Sequence, residues 1–187
     1  DPTVWVIAGD GCLEEGVSGE ASSLAGTLGL DNLVMLWDDN RITIDGPTDL
    51  AFTEDVRARY RAYGWRVLEI DDPLDLDAVE GVLREARERT GRPTFVAIRT
   101  TIGFPSPARA GTAAAHAGAF GVDDVAEVKR ILRFPPDAGL DDLIPDEVLA
   151  HTRQALDRGA RLREEWLIRF AQWERTHRVE ASRRRVL

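Results

Sequence analysis

The chain has 187 residues, of which 43% are hydrophobic and 30% charged, and its formal net charge is −9 at pH 7. Such a composition is typical of a soluble globular domain, and the acidic balance argues against nucleic acid as a partner. The sequence contains no apolar run of the length that a membrane span needs, and its only cysteine, Cys12, has no partner for an internal disulfide, which together favour a cytoplasmic protein.

Two polar turns follow the first two predicted strands. The apolar runs 3–8 and 33–37 are typical of buried strands, and they end in Gly9-Asp10-Gly11 and Asp38-Asp39-Asn40. Because a helical segment over about 14–28 separates them, we expect parallel strands joined by a crossover helix. The carboxyl ends of both strands, with Asp10 and Asn40, should then lie side by side at the sheet edge where ligands bind.

The residue types in these turns suit a metal-bridged diphosphate. The carboxylate of Asp10 and the amide oxygen of Asn40 are hard ligands of the kind that Mg²⁺ or Ca²⁺ prefers. Gly9 and Gly11 have no Cβ, so a phosphate can approach the backbone there. A helix predicted to begin near Leu13 would present free N–H groups to the same anion. A single Gly-Asp-Gly turn is more often a plain strand–turn–helix, and the second turn is what favours the binding site.

The sequence of this region resembles the signature of thiamine diphosphate enzymes and is similar to transketolases in particular. The residues that carry the resemblance are GDGCLEEGVSGEASSLAGTLGLDNL followed by DDNRITIDG. The resemblance continues through residues 52–67, 92–104 and 110–116, and it is weaker beyond residue 121. It implies an α/β fold with an open, mostly parallel sheet and flanking helices, here the latter part of a diphosphate-binding domain. It also implies thiamine diphosphate and Mg²⁺ (or Ca²⁺), held by Gly9, Asp10, Gly11 and Asn40.

The resemblance assigns further residues around the first turn and the helix. The backbone carbonyl of Ile42 would be a third metal ligand, and the side chain of Ile44 would contact the thiazolium ring. Glu15 and Glu20 would lie at a subunit interface, in a path that links two active sites. From the residues alone, such glutamates are more often solvated charges away from the apolar stripe of the helix. The spacing places that stripe at Val17, Ala21, Leu24, Ala25 and Leu28.

The segment 100–121 is predicted to be a long loop, and loops of this length are often functional. The resemblance places His116 over the cofactor near the substrate, where an imidazole can transfer protons. It places Ile102 against the aminopyrimidine ring and Arg109 near the diphosphate. Transketolases usually have His-Gly-Ala-Pro where this chain has His-Ala-Gly-Ala at 116–119. Taken alone, His116 could also be a structural or solvent-exposed loop residue.

The remaining pattern is scaffold. Thr53 is predicted to cap a helix that closes at Gly64, and Asp75 to cap one that closes at Gly91. Between and after them, 65–70 and 94–99 are predicted strands, and 122–132 is a further predicted helix. The inward residues of the helix after Asp75 are predicted to be Leu76, Val79, Val82, Leu83 and Ala86.

We expect residues 1–134 to form the cofactor-binding part and 135–187 to form a helical linker toward a missing pyrimidine-binding domain. The linker helix should begin at Pro145, a favourable first-turn residue. Its apolar stripe includes Trp166 and Trp173, with little chain left to cover them, which suggests a missing partner surface.

The function implied by the resemblance is transfer of a two-carbon ketol unit between sugar phosphates. The alternatives are another thiamine enzyme, such as dihydroxyacetone synthase or a two-subunit enzyme of specialised metabolism, and a non-catalytic regulatory or assembly subunit. In thiamine enzymes a glutamate of the pyrimidine-binding domain protonates the aminopyrimidine ring, and no stretch here resembles that domain. We therefore expect a fragment or a subunit that is inactive alone. Its partners would be chains with the upstream half and the pyrimidine domain, in a homodimer or a two-component oligomer.

Overall fold

The structure, a computed structural model, describes residues 2–116, 118–139 and 141–186, with no side-chain description at 185 and 186. Short 3₁₀ turns cover Thr48–Leu50, Ala113–Ala115 and Asp141–Leu143. The strands and helices are β1 (Val4–Gly9), α1 (Asp10–Glu14), α2 (Gly16–Thr27), β2 (Leu33–Asp39), α3 (Val56–Ala62), β3 (Arg66–Ile70), α4 (Leu76–Ala86), β4 (Thr94–Arg99), α5 (Val122–Ile131), α6 (Asp146–Thr176) and α7 (Arg178–Val186).

Two compact units are present, Asp1–Arg133 and Phe134–Leu187. The first contains a four-stranded sheet in the order β1-β2-β4-β3, in which every neighbouring pair is parallel. The predicted open parallel α/β sheet is therefore confirmed. The register pairs Gly9 with Asp38 and Asp39 with Arg99, so the carboxyl ends of β1, β2 and β4 lie together.

The alternation of side chains along the strands divides the core into two layers. One face of the sheet packs against α1, α2 and α3. There Tyr60 stacks on Phe95 with ring centroids 3.8 Å apart, and Trp37 lies 5.8 Å from Phe95. The other face packs against α4 through Val34, Val96, Ile70 and Ala86. The odd-numbered residues of β2 thus face the aromatic layer, and the even-numbered ones face α4.

The segment predicted as one helix over 14–28 differs from the prediction in two respects. The helix begins earlier, at Asp10, and it breaks at Glu15, whose ψ of 130° is extended, before α2 starts at Gly16. Most of the apolar face predicted for this helix lies outside the core of the chain, since Val17, Leu24 and Leu28 are 70%, 58% and 60% exposed. The side of α2 that packs on the domain is instead the one with the small residues, and its buried members are Ser22 and Ala25.

Small residues let α2 approach the α3–β3 connection closely. The Ser22 carbonyl accepts a hydrogen bond from the indole Nε1 of Trp65 at 2.8 Å, and its hydroxyl lies 3.0 Å from the hydroxyl of Tyr60. A Cβ built on Gly26 would lie 1.8 Å from the carbonyl oxygen of Tyr63. At Ser22, Ala25 and Gly26, larger side chains would push the helix off this surface.

The capping predictions are half right. Asp75 caps α4, since its Oδ1 accepts from the backbone N–H of Ala78 at 3.0 Å. The cap of α3 is Asp55 and not Thr53, because the Oδ1 of Asp55 accepts from the N–H of Ala58 at 2.9 Å. Leu76, predicted to face inward, is 74% exposed, because it starts α4 at an uncovered part of the sheet.

That uncovered part is an apolar groove of about 640 Å³ between β1 and α4. Trp5 and Ile7 of β1 are 41% and 78% exposed there. The opposite wall is formed by α4, mainly by Val79 and Leu83. Within the described parts of the chain, no helix is both long and apolar enough to cross a membrane.

The second unit is built on α6 and α7. Pro145 is the N-cap of α6, next to the predicted start. The rings of Trp166 and Phe170 stack 4.9 Å apart, and Arg184 of α7 lies over both. The aromatic stripe that was expected to lack a cover is therefore covered in part by α7, because a guanidinium group binds the face of an aromatic ring.

Two glycine-to-alanine substitutions should have opposite effects on stability. Gly26→Ala should lower the free energy of unfolding by about 1–3 kcal/mol, because the new methyl group meets the Tyr63 carbonyl. Gly81→Ala, in α4 with no atom within 4 Å of the added Cβ, should raise it by up to about 1 kcal/mol. Denaturant unfolding of the intact protein measures both. Equal shifts of the same sign would contradict the close packing of α2.

Candidate functional site

The predicted pairing of the two polar turns is present at the sheet edge. Asp10 begins α1 directly after β1 and is 4% exposed. Its Oδ2 accepts hydrogen bonds from the backbone N–H of Asn40 at 3.2 Å and of Arg41 at 2.9 Å. Arg41 has a φ of 61°, a left-handed conformation that non-glycine residues rarely adopt. The two hydrogen bonds to the carboxylate of Asp10 hold this strained turn in place.

The carboxylate of Asp10 lacks a cationic partner among the ion pairs of the described residues. Burial raises its pKa above the ordinary value, and the N–H groups of Arg41 and Asn40 offset this only in part. The buried indole N–H of Trp37 lies beside the carboxylate and also lowers this pKa slightly, although in the described structure no acceptor is within hydrogen-bond geometry of Nε1. A buried anionic carboxylate without a cation is unfavourable, so a bound cation would stabilise it.

The Asn40 side chain has a defined set of contacts. Its Oδ1 accepts from the backbone N–H of Ile42 at 2.9 Å, and its Nδ2 donates to Oδ2 of Asp38 at 3.3 Å. An amide oxygen has two lone pairs, so Oδ1 can still bind a cation. The donor set of one carboxylate, one amide oxygen and the nearby carbonyl of Ile42 fits a hard cation such as Mg²⁺.

The neighbouring loops place the predicted apolar contacts close to this turn. Ile42 forms an isolated bridge with Pro47, and Ile44, between them, is 62% exposed. A small pocket of about 370 Å³ is shared by Asn40, Ile42, Thr101 and Gly111. Ile102 is tied to the same region, since its carbonyl accepts from the N–H of Gly111 at 2.9 Å.

Gly9 and Gly11 flank Asp10, and an added Cβ at either would meet no atom within 4 Å. This open space agrees with the predicted approach of a phosphate to the backbone. The helix that was predicted to offer its N-terminus, however, begins at Asp10 and has only five residues. Its first turn carries the acidic side chain of Asp10, which favours a cation over an anion at this terminus.

The two glutamates of the predicted interface are exposed. Glu15 occupies the break between α1 and α2, where its carbonyl accepts from the N–H of Ser18 at 3.1 Å. Glu20 is one turn further along α2. Both line a groove of about 790 Å³ whose far side includes Arg59 and Tyr63. The structure brings them to one surface and shows no ion pair for either among the described residues.

His116 is exposed and ends the 3₁₀ turn Ala113–Ala115, with its N–H bonded to the carbonyl of Ala113 at 3.0 Å. No hydrogen bond or ring contact in the described ranges joins it to Asp10 or Asn40. Arg109, predicted near the diphosphate, is engaged elsewhere: its Nε donates to Asp124 at 3.1 Å and its guanidinium lies over Phe120. Arg109 is thus paired with a carboxylate of α5, and its place near a diphosphate stays a prediction.

A buried ionic cluster next to the turn was not predicted. Asp39 is 2% exposed, and its carboxylate accepts from Nη2 of Arg57 and Nη1 of Arg99, each at 3.0 Å. The cluster ties α3 and the end of β4 to the residue before Asn40. A signal for it existed, because Asp39 lies two residues after the core residue Trp37 and must share its face of the strand.

The parallel sheet with Asp10 and Asn40 at its carboxyl edge has the architecture of an α/β ligand-binding domain. The family described as "Transketolase, thiamine diphosphate binding domain" matches residues 1–186. The chain thus belongs to the transketolase family.

Several relatives agree with this assignment. The transketolase of Nostoc sp. is 43% identical over 183 residues, which make up 97% of this chain and 27% of that protein. The transketolase of Mycobacterium tuberculosis is 43% identical over 175 residues, or 94% of this chain and 25% of that protein. The chain spans about a quarter of the length of the curated relatives it matches.

Solved transketolases have the same fold. A structure from Pichia stipitis in complex with xylulose 5-phosphate matches with a TM-score of 0.85 and 40% identity, over 97% of this chain and 27% of that one. The transketolase of Leishmania mexicana matches with a TM-score of 0.86 and 35% identity, again over 97% of this chain and 27% of that one.

Removal of the buried carboxylate of Asp39 should lower the stability of the fold, whereas removal of the exposed carboxylate of Asp45 should not. Asp39→Ala should lower the free energy of unfolding by about 2–3 kcal/mol, because two charged hydrogen bonds are lost. Asp45→Ala, at an exposed position of the adjacent loop, should change it by no more than about 0.5 kcal/mol. Urea unfolding of both variants in the intact protein tests this. Similar values for the two would show that the Asp39 cluster contributes little.

Proposed function

We propose that the protein carrying this chain is a transketolase, which transfers a two-carbon ketol unit between sugar phosphates, and that this chain supplies the diphosphate and metal part of the cofactor site. The observation that carries the proposal is the buried Asp10 carboxylate beside Asn40 at the ends of β1 and β2. The family assignment supports it, as do relatives named transketolase and Pichia stipitis structures with xylulose 5-phosphate and sedoheptulose 7-phosphate. We place the protein in the cytoplasm.

In this proposal, Asp10, Asn40 and the Ile42 carbonyl hold Mg²⁺ (or Ca²⁺), and the cation binds the diphosphate of thiamine diphosphate. The cofactor supplies the carbanion chemistry when bound. The open backbone at Gly9 and Gly11 leaves room for the phosphates. Asp10, Asn40 and Ile42 would also fix the cofactor in one position, since correct orientation of the reactants contributes much of the rate enhancement in catalysis.

The apolar and titratable residues have separate roles. Ile44 and Ile102 line the side of the cofactor rings, where a dry surface disfavours a charged ring. His116 is the candidate for proton transfer at the substrate, since an imidazole can both accept and donate a proton. Glu15 and Glu20 are the candidates for a subunit boundary that links two active sites, and their position on one exposed groove supports this.

Further protein is needed to complete the site. The exposed Trp5 and Ile7 on β1 form an apolar surface of a kind that usually contacts another protein part. We propose that the upstream half and the pyrimidine-binding domain, on the same or on other chains, complete the cleft in a homodimer or a two-component oligomer.

Replacement of Asp10 tests the metal site. Asp10→Ala should weaken Mg²⁺-dependent binding of thiamine diphosphate by the assembled protein at least about tenfold, because the only carboxylate of the proposed ligand set is lost. Isothermal calorimetry gives the affinity.

The matched control is Asp75→Ala, which removes the cap of α4 and should lower stability by about 1 kcal/mol without a change in cofactor affinity. Unchanged affinity in Asp10→Ala, or an equal loss in both variants, would count against the assignment.

The isolated chain 1–187 should show no detectable ketol transfer with thiamine diphosphate and Mg²⁺. The pyrimidine domain supplies a proton relay whose loss typically costs a factor of about 10²–10⁴, and half of the cofactor cleft is lost as well. Activity should return when the missing domains are added. Robust turnover by the chain alone would refute the division of labour proposed here, and an inactive assembly would favour a regulatory subunit.

A further inference from the structure

The side chain of Asn40 is fixed by a chain of hydrogen bonds that the proposed function has not used. Its Nδ2 donates to Oδ2 of Asp38 at 3.3 Å, and the other oxygen of Asp38 accepts a short hydrogen bond from the hydroxyl of Thr100. On the opposite side, the backbone N–H of Ile42 donates to Oδ1 of Asn40 at 2.9 Å. Three groups therefore determine how the amide of Asn40 lies.

These contacts permit only one orientation of the amide. A carboxylate only accepts hydrogen bonds and a backbone N–H only donates them, so Nδ2 must face Asp38 and Oδ1 must face Ile42. The flipped amide would oppose oxygen to carboxylate and N–H to N–H. The oxygen is thus held on the side of Ile42, the residue whose carbonyl is proposed as the third ligand, with one lone pair left for a cation.

Thr100 holds Asp38 through the fold of the sheet. Asp39 pairs with Arg99 in the register of β2 and β4, and the N–H of Thr100 donates to the carbonyl of Asp39 at 3.2 Å. Asp38 and Thr100 therefore lie at the ends of adjacent strands, on the α4 side of the sheet. Threonine is β-branched and has few rotamers, so its hydroxyl has little freedom to leave Asp38.

We propose that Asp38 and Thr100 are positioning residues of the metal site. Thr100 fixes Asp38, and Asp38 fixes the Asn40 amide with its oxygen available to the cation. The proposal rests on the proposed metal site at Asp10 and Asn40. Outer partners that orient a ligand commonly contribute a factor of about 10–100 to metal affinity, so the effect is large enough to measure.

The competing explanation is that Asp38 acts through its negative charge. Asp38→Asn separates the two, because it removes the charge and keeps both hydrogen bonds: its Oδ1 accepts from Asn40 and its Nδ2 donates to Thr100. Asp38→Ala removes both the charge and the hydrogen bonds. Thr100→Val removes only the hydroxyl at constant shape, and Thr100→Ser keeps it.

The experiment measures the affinity of the intact protein for Mn²⁺, which serves as a probe for Mg²⁺, in the presence of thiamine diphosphate. Electron paramagnetic resonance gives the concentration of free Mn²⁺. The Tm of each metal-free variant is recorded beside it. Thr100→Val and Asp38→Ala should bind Mn²⁺ about tenfold or more weakly, whereas Thr100→Ser and Asp38→Asn should stay within about threefold of the unchanged protein. The Tm values should not follow this order.

Three outcomes would overturn the proposal: unchanged affinity in Thr100→Val, equal losses in Thr100→Val and Thr100→Ser, or an Asp38→Asn as weak as Asp38→Ala. The Asp38 pair decides the question if Thr100→Val does not fold. An unchanged protein that binds no Mn²⁺ at all would refute the metal site itself, and the positioning role with it. If the unchanged protein binds Mn²⁺ and all four variants have the same Mn²⁺ affinity as one another, only the positioning role would be refuted.

Discussion

The backbone N–H groups of Asn40 and Arg41 donate to one oxygen of Asp10, and the site depends on this contact. It joins the end of β1 to the turn after β2 across 30 residues of sequence. Because the carboxylate is buried, neither turn can move without leaving either two donors or one acceptor unpaired. The left-handed backbone of Arg41 is tolerated for the same reason, since the surrounding hydrogen bonds over-determine it.

At the end of β2, successive side chains point to opposite faces of the sheet, and the two faces have different roles. Asp39 faces the aromatic layer and is neutralised by Arg57 and Arg99, so it secures the scaffold. Asp38 and Asn40 face the other way, toward Thr100, and shape the turn. A shift of one residue in the β2 register would exchange the two sets and bury the wrong carboxylate. The parallel register is therefore a condition for the candidate site as well as for the core.

Much of this arrangement follows from sequence because it depends on short-range patterns. The meeting of Asp10 and Asn40 could be predicted, since parallel strands bring their carboxyl ends together, and strand β4 has the predicted bounds. The buried face of α2 could not, because it is set by contact with Tyr60, Tyr63 and Trp65 near the α3–β3 connection. Arg109 lies in a loop without periodicity, so its ion pair with Asp124 of α5 could not be predicted. The partners of Asp39 are 18 and 60 residues away.

The placement of β1 at the end of the described sheet has a consequence for handling the chain. Its outer side presents a row of main-chain hydrogen-bonding groups to any extended segment, and Trp5 and Ile7 add an exposed apolar surface beside it. Such an edge is a template for strand addition and self-association. Preparations of this chain by itself will therefore be prone to aggregate from this side. A lysine substitution at Ile7, whose side chain is 78% exposed, is the natural way to protect it.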